Sequence, residues 1–258
     1  MKILVLFTLV ASLGIGIFET ANPSKKQVST EQYGAGSLAA QQLLIVVTNG
    51  WDQLQGQLCA YQKTGSKWVL VFQNPVVLGS KGLGIGSGLE QLAIPEAPVK
   101  KEGDLKSPAG IFSIGCAFGY ANKQQAAWIK NRYVQASDTL ICVDDVHSGH
   151  YNTLVENHPG ESDWKSFEYM HRKDNLYKWG LFINHNAPGP IAGAGSCIFM
   201  HIWENEQVGT DGCTAMEEQN MVRVLQWIDD RLHPMLIQLP ELEYVKLAPA
   251  KHWPKLAR

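Results

Sequence analysis

Apolar and polar positions along the chain alternate in short runs, and the runs are mostly too short for helices. "QQLLIVVTN" carries an apolar, β-branched stretch from Leu43 to Thr48, the pattern of a buried strand. "GQLCAYQK" and "KWVLVFQN" flank a Gly-Ser turn at 65 to 66 and read as a hairpin. "VVLGSKGLGIGSGLE" holds too many glycines for a regular element and reads as a loop lying close to a ligand. Pro108 and Gly110 punctuate the approach to a short strand from Ile111 to Ile114. Residues 121 to 130 suit a short helix. "TLICVDDV", "GLFINHN" (180 to 186) and "SCIFMHIW" (196 to 203) are further strands, the last two joined by the Pro/Gly-rich loop 187 to 195. From about Met216 to Leu232 the period changes. Met221, Val224, Leu225 and Ile228 fall at i, i+3, i+4 and i+7, one face of a helix. The expected fold is mainly β with a few helices, a single domain whose sheet folds on itself as a sandwich or barrel.

The N-terminal pattern differs. Lys2 precedes an apolar run from Ile3 to Val10, with Gly14 and Gly16 after it, which reads as a signal peptide over residues 1–20 with an ill-defined cleavage site. Residues 21–40 read as a flexible leader and 41–258 as the functional domain. No other stretch is long and apolar enough to span a bilayer. The expected location is therefore outside the cytoplasmic membrane, in the periplasm or cell envelope, and the expected state is a monomer. The formal net charge of −2 on 258 residues gives no broad basic surface, so nucleic acid is not an expected partner.

Candidate chemistry gathers in "HIWENEQVGTDGCTAM", residues 201 to 216. Thr214 and Glu217 have capping-box spacing, which would put Cys213 just before a helix N-terminus, where the dipole favours a thiolate. Gly209 and Gly212 permit bends that aim backbone N–H groups at one point, as an oxyanion hole needs. In strict alternation Cys197, Phe199 and His201 share a strand face, so His201 could serve Cys213 as base. The bland alternative is a buried apolar Cys and a structural His. His185 and His171 are the next candidates for the base. Five cysteines (59, 116, 142, 197, 213) leave at least one unpaired in a monomer, and the sequence leaves the pairing open. His147 and His150, with Asp144 and Asp145 just before them, could bind zinc but read better as a solvated turn with loop-anchoring acids. Lys100, Lys101 and Lys106 read as a solvated loop, with contact to substrate carboxylates as the functional alternative. No metal and no cofactor are called for.

"GSCIFMHIWENEQVGTDGCTAM" resembles the active-site region of the L,D-transpeptidase (YkuD-like) family, in which a strand ending in His is followed by Ser/Thr-x-Gly-Cys. The match falls on His201 and on Thr210, Asp211, Gly212 and Cys213. "EGDLKSPAGIFSIG", about a hundred residues upstream, resembles the family's Gly-Asp-x-Lys/Arg-Ser/Thr-Pro-x-Gly-x-Phe segment. "CVDDVHSGHYNTLV" and "FINHNAPGPIAGAGS" are similar to segments of one branch. The resemblance spans roughly residues 40 to 232. It implies a nucleophilic Cys213, a base His201, oxyanion-hole and turn roles for Thr210, Asp211 and Gly212, and substrate contacts from Asn186, Gly195 and Ser196. It implies peptidoglycan stem peptides as substrate, with transfer to an amine or hydrolysis as outcomes; a non-catalytic wall-binding module is the alternative. Asp211 stands where many members have His, and Ala215 where many have Arg. Those departures bear on how a substrate carboxylate is held.

Overall fold

The computed structural model describes residues 40–158, 160 and 162–256, so the signal-peptide and leader segments lie outside the described residues. Among the described residues thirteen strands run β1 (Gln42–Thr48), β2 (Gln55–Thr64), β3 (Lys67–Val77), β4 (Leu83–Ile85), β5 (Ser107–Gly119), β6 (Tyr133–Gln135), β7 (Leu140–Val143), β8 (Thr153–Glu156), β9 (Phe167–Tyr169), β10 (Trp179–Ile183), β11 (Phe199–Ile202), β12 (Thr214–Met216) and β13 (Met235–Pro240). The helices are α1 (Glu218–Trp227) and α2 (Glu241–Lys251).

Eight strands close into a barrel in the order β10-β11-β12-β3-β2-β1-β13-β5, with β5 pairing back onto β10. Closure removes the unpaired edges that an open sheet would present. The expected mainly-β fold is what the chain adopts. All seven residues of β1 are buried, which is why its sequence is continuously apolar rather than alternating. Helix α1 adds Met221, Val224 and Leu225 to the core from its one apolar face. A second sheet, β8-β7-β9, lies beside the barrel. Its strand β7 sends Leu140 and Cys142 into a cluster with Phe118, Phe182, Phe199 and Cys213, and Ile141 and Val143 into a separate cluster with Trp164. A disulfide between Cys142 and Cys197 ties the small sheet to the segment entering β11.

Four expectations are corrected. Residues 121 to 130 form turns, not a helix: Asn122 accepts from the amides of Gln124 and Gln125, and the chain turns back early to lay β6 against β5. The loop 76 to 90 contains β4, which pairs in parallel with β5. Helix α1 spans only Glu218–Trp227, followed by a single 3₁₀ turn at Asp230–Leu232. The capping box does not form. Thr214 lies in β12, and its hydroxyl donates to Gln238 Oε1 at 2.7 Å in the core, while α1 starts without a side-chain cap.

Candidate active site

The site is built by two parallel strands. Strand β11 pairs with β12 in the register His201–Ala215 and Met200–Thr214, which carries Cys213 to the level of Phe199. Side chains alternate along a strand, so Phe199 and His201 share the face that Cys213 occupies, and Cys197, before β11 with φ +52°, joins the buried cluster of Phe199 and Cys213. His201 and Cys213 thus face the same side of neighbouring strands, two positions apart. Both line a cleft of about 520 Å³ whose walls also carry Lys100, Asp144, Glu168, Arg172, Tyr177 and Ser196.

The cysteine loop is pinned from several sides. Thr210 Oγ1 donates to the Cys213 carbonyl at 2.6 Å and accepts from Gly212 N–H at 3.1 Å. Gly212 holds φ +147°, a conformation that L side chains rarely adopt, which turns the chain into the strand. The hydroxyl of Ser107, at the start of β5, donates to the Cys213 carbonyl at 2.7 Å and accepts from Gly79 N–H at 2.8 Å. Gln238 receives the Thr214 hydroxyl and donates to the Pro108 carbonyl at 2.8 Å. The two motifs that stand a hundred residues apart in the sequence therefore meet through Ser107 directly and through Gln238.

Cys213 is 8% exposed. Phe199 N–H donates to its sulfur at 3.2 Å, and the thiol reaches the Cys197 carbonyl at 3.7 Å. Burial pushes the thiol well above its ordinary range; Glu168 and Asp211 push the same way, against the Phe199 amide and Lys100. The expectation of a thiol acidified by a helix N-terminus is overturned, because the residue after Cys213 enters a strand and the helix begins four residues beyond Thr214. His201 Nδ1 lies 2.8 Å from the Ile202 carbonyl, which can only accept. The proton is assigned to Nδ1 on that ground, which leaves Nε2 as the basic nitrogen. Burial lowers His201 to about 4, so the ring is neutral at pH 7. Its ring packs edge-on against Tyr177 with centroids 5.0 Å apart. The Tyr177 hydroxyl donates to Glu168, and Arg172 stacks over the Tyr177 ring while pairing with Asp174. Burial raises Glu168 to about 7.

The other expected residues divide. Thr210, Asp211, Gly212 and Ser196 line the cleft, and Ser196 donates to Glu102 at 2.7 Å. The Gly212 N–H is spent on Thr210, so it does not serve as a free oxyanion donor. Asn186 and Gly195 are not on the cleft wall. Asn186 binds the Ile191 and Gly195 carbonyls and the Ile191 amide, organising the loop 187 to 195. His185 is fully buried with Nε2 3.0 Å from the Ala194 carbonyl, and His171 pairs with Asp138; neither borders the cleft. Asp145 accepts from the His147 and Lys165 amides, an anchoring role, while Asp144 borders the cleft. Among the described residues, no group of three or more His, Cys, Asp or Glu could hold a metal ion. Glu168, Arg172 and Tyr177 were missed because β9 and the turn after it are short and only weakly patterned.

No family profile and no curated protein matches the chain. Among solved structures it is similar to the helical cell shape determining protein Pgp2 from Campylobacter jejuni, at 15% identity and a TM-score of 0.37, over 78% of this chain and 48% of that one. It is also similar to Bd1075 of Bdellovibrio bacteriovorus, at 11% identity and a TM-score of 0.41, over 82% of this chain and 54% of that one. The chain spans about half the length of these two structures.

Proposed function

We propose that the chain is a cysteine-dependent L,D-transpeptidase of peptidoglycan, with residues from about 41 onward as its catalytic domain. The observation that carries this reading is the placement of Cys213 and His201 on one face of adjacent strands in a shared cleft. The meeting of the two motifs at the Cys213 carbonyl supports it. Cys213 Sγ attacks a stem-peptide carbonyl carbon, and the C–N bond breaks to leave a thioester. His201 Nε2 takes the thiol proton and delivers it to the departing amine. An acceptor amine then attacks the thioester, a new C–N bond forms, and the sulfur regains a proton. Water in place of the amine gives a carboxypeptidase from the same site.

Because His201 is neutral and the thiol is held protonated in the resting site, the proton moves during attack rather than before it. The Cys142–Cys197 disulfide supports function in an oxidising compartment, in keeping with export to the cell envelope. No helix among the described residues is long and apolar enough to cross a membrane. The test is incubation with defined stem-peptide fragments followed by mass spectrometry. A cross-linked or exchanged product that Cys213→Ala does not form supports transfer, and a trimmed product without exchange supports hydrolysis. No product in either form, with the thiol intact, favours a wall-binding module.

A further inference from the structure

Lys100 is 4% exposed, the only lysine among the described residues that is classed as buried. Its side chain lies beside Gly195 and Gly212, the second of which is on the cleft wall. A Cβ on Gly195 would stand 3.1 Å from Lys100 Cε and 3.3 Å from Cγ, and a Cβ on Gly212 would stand 3.7 Å from Nζ. The missing side chains at those positions leave the slot in which the lysine lies. Two of its three donors are engaged, by the Lys101 carbonyl at 2.7 Å and Asp104 Oδ1 at 2.5 Å, and its side chain borders the cleft shared with Cys213. Lysine burial is rare because an ammonium loses its hydration when taken out of water, so a paired lysine kept inside a cleft calls for a reason.

We propose that Lys100 is a positioning residue for the nucleophile: a buried ammonium, seated between Gly195 and Gly212, whose charge favours the thiolate of Cys213 and so prepares it to attack. This rests on the reading of Cys213 as nucleophile. The groups around the sulfur make the need plain. The charged side chains on the cleft wall are Lys100, Glu102, Asp144, Glu168, Arg172, Glu204 and Asp211, and five of the seven are acids. Glu168 and Asp211 resist a negative sulfur, Arg172 is committed to Asp174 and Glu168, and His201 carries no charge at neutral pH. Lys100, whose ammonium lies near Gly212 on the cleft wall, opposes them by favouring a negative sulfur, with the Phe199 amide as its neutral helper. Asp104 holds the ammonium in place and also tempers its charge.

The test is the pH profile of Cys213 alkylation by iodoacetamide in the full chain, read by peptide mass spectrometry. Lys100→Met is expected to shift the profile to higher pH and to slow alkylation at pH 8 about tenfold, the effect of removing one unit charge within a partly buried site. Lys100→Arg is expected to recover part of the rate. An unfolded variant would expose the thiol and alkylate faster, so loss of fold cannot imitate the expected result. A second measurement needs no change at position 100: in lysine labelled with ¹³C at Cε, the Lys100 resonance should record the ionisation of Cys213 and lose that step in Cys213→Ala. An unchanged alkylation profile in Lys100→Met, or a Lys100 resonance blind to Cys213, overturns the proposal while leaving the nucleophile standing. A Cys213 that resists alkylation at every pH in the native chain shows that no fixed charge brings its thiolate within reach and overturns the proposal, while the fragment assay on Cys213→Ala judges the nucleophile separately.

Discussion

The burial of His201 has a consequence for stability that can be measured without any substrate. Burial holds His201 at about 4 in the folded chain, against about 6.5 for an ordinary imidazole in the unfolded chain. The folded state keeps the ring neutral, so its contribution is complete above 6.5. As pH falls from 6.5 toward 4 the unfolded state gains a proton that the folded state refuses, and stability is lost. Between pH 7 and pH 5 one such histidine loses about 2 kcal/mol, on the scale of 1.36 kcal/mol per pKa unit. His185, also lowered to about 4, loses a similar amount. Glu168 acts in the opposite sense. Raised to about 7 from 4.5, it binds a proton more readily when folded, and it returns up to about 2 kcal/mol over the same interval. The net change is thus a loss of about 2 kcal/mol, and the whole-protein curve does not identify its source. Urea unfolding at pH 7 and pH 5 for the native chain and for His201→Gln separates them. The variant should be less stable at pH 7, yet lose about 2 kcal/mol less than the native chain on acidification. An equal loss in both would show that His201 takes up its proton as freely in the folded state as in the unfolded one, and the reading of a desolvated ring would fall with it.

Cys213→Ala should abolish product formation and leave the unfolding transition in place, as checked by the fragment assay and urea titration. His201→Ala should lower turnover by about two orders of magnitude or more, the usual contribution of a positioned base, with little change in the pH at which iodoacetamide begins to alkylate the thiolate. Ser107→Ala removes a hydrogen bond to the Cys213 carbonyl and strands the Gly79 amide, so it should cost about 1 to 3 kcal/mol in urea and lower kcat more than it raises KM. Reduction of the Cys142–Cys197 bridge should weaken binding of fragments and lower the unfolding midpoint, because the bridge fastens the small sheet to the segment that leads into β11.

How much of this was legible in the chain depends on whether the signal was local. The run Leu43 to Thr48 and the period of Met221, Val224 and Leu225 gave β1 and α1, because burial on two faces or on one stripe writes itself into a short window. Alternation from Phe199 to His201 placed His201 on the face that the structure gives it. The capping box failed for a non-local reason. Thr214 and Glu217 have the right spacing, but Thr214 is claimed by a strand partner at Met200 and a core acceptor at Gln238, and tertiary pairing outweighs a local cap worth about 1 kcal/mol. Lys100 failed likewise. Three lysines within seven positions look like a solvated loop, and only the three-dimensional approach of Gly195 and Gly212 shows that one of them is enclosed.

The same contrast changes what kind of cysteine this site holds. A thiol at a helix N-terminus would be ionised at rest and reactive toward any electrophile. Cys213 instead sits at a strand end, nearly enclosed, facing an amide at 3.2 Å and a carbonyl at 3.7 Å, with acids across the cleft. Those surroundings hold it neutral, and His201, also neutral, lines the same cleft two positions along the neighbouring strand with its Nδ1 fixed by the Ile202 carbonyl. Such a pair gains little by ionising alone, since both charges would then be buried. On the proposed mechanism it gains when a carbonyl arrives to take the sulfur's electrons and the proton has somewhere useful to go. Selectivity for substrate over stray electrophiles then follows from burial, and the cost is a dependence on whatever fixed charge favours the thiolate in that moment.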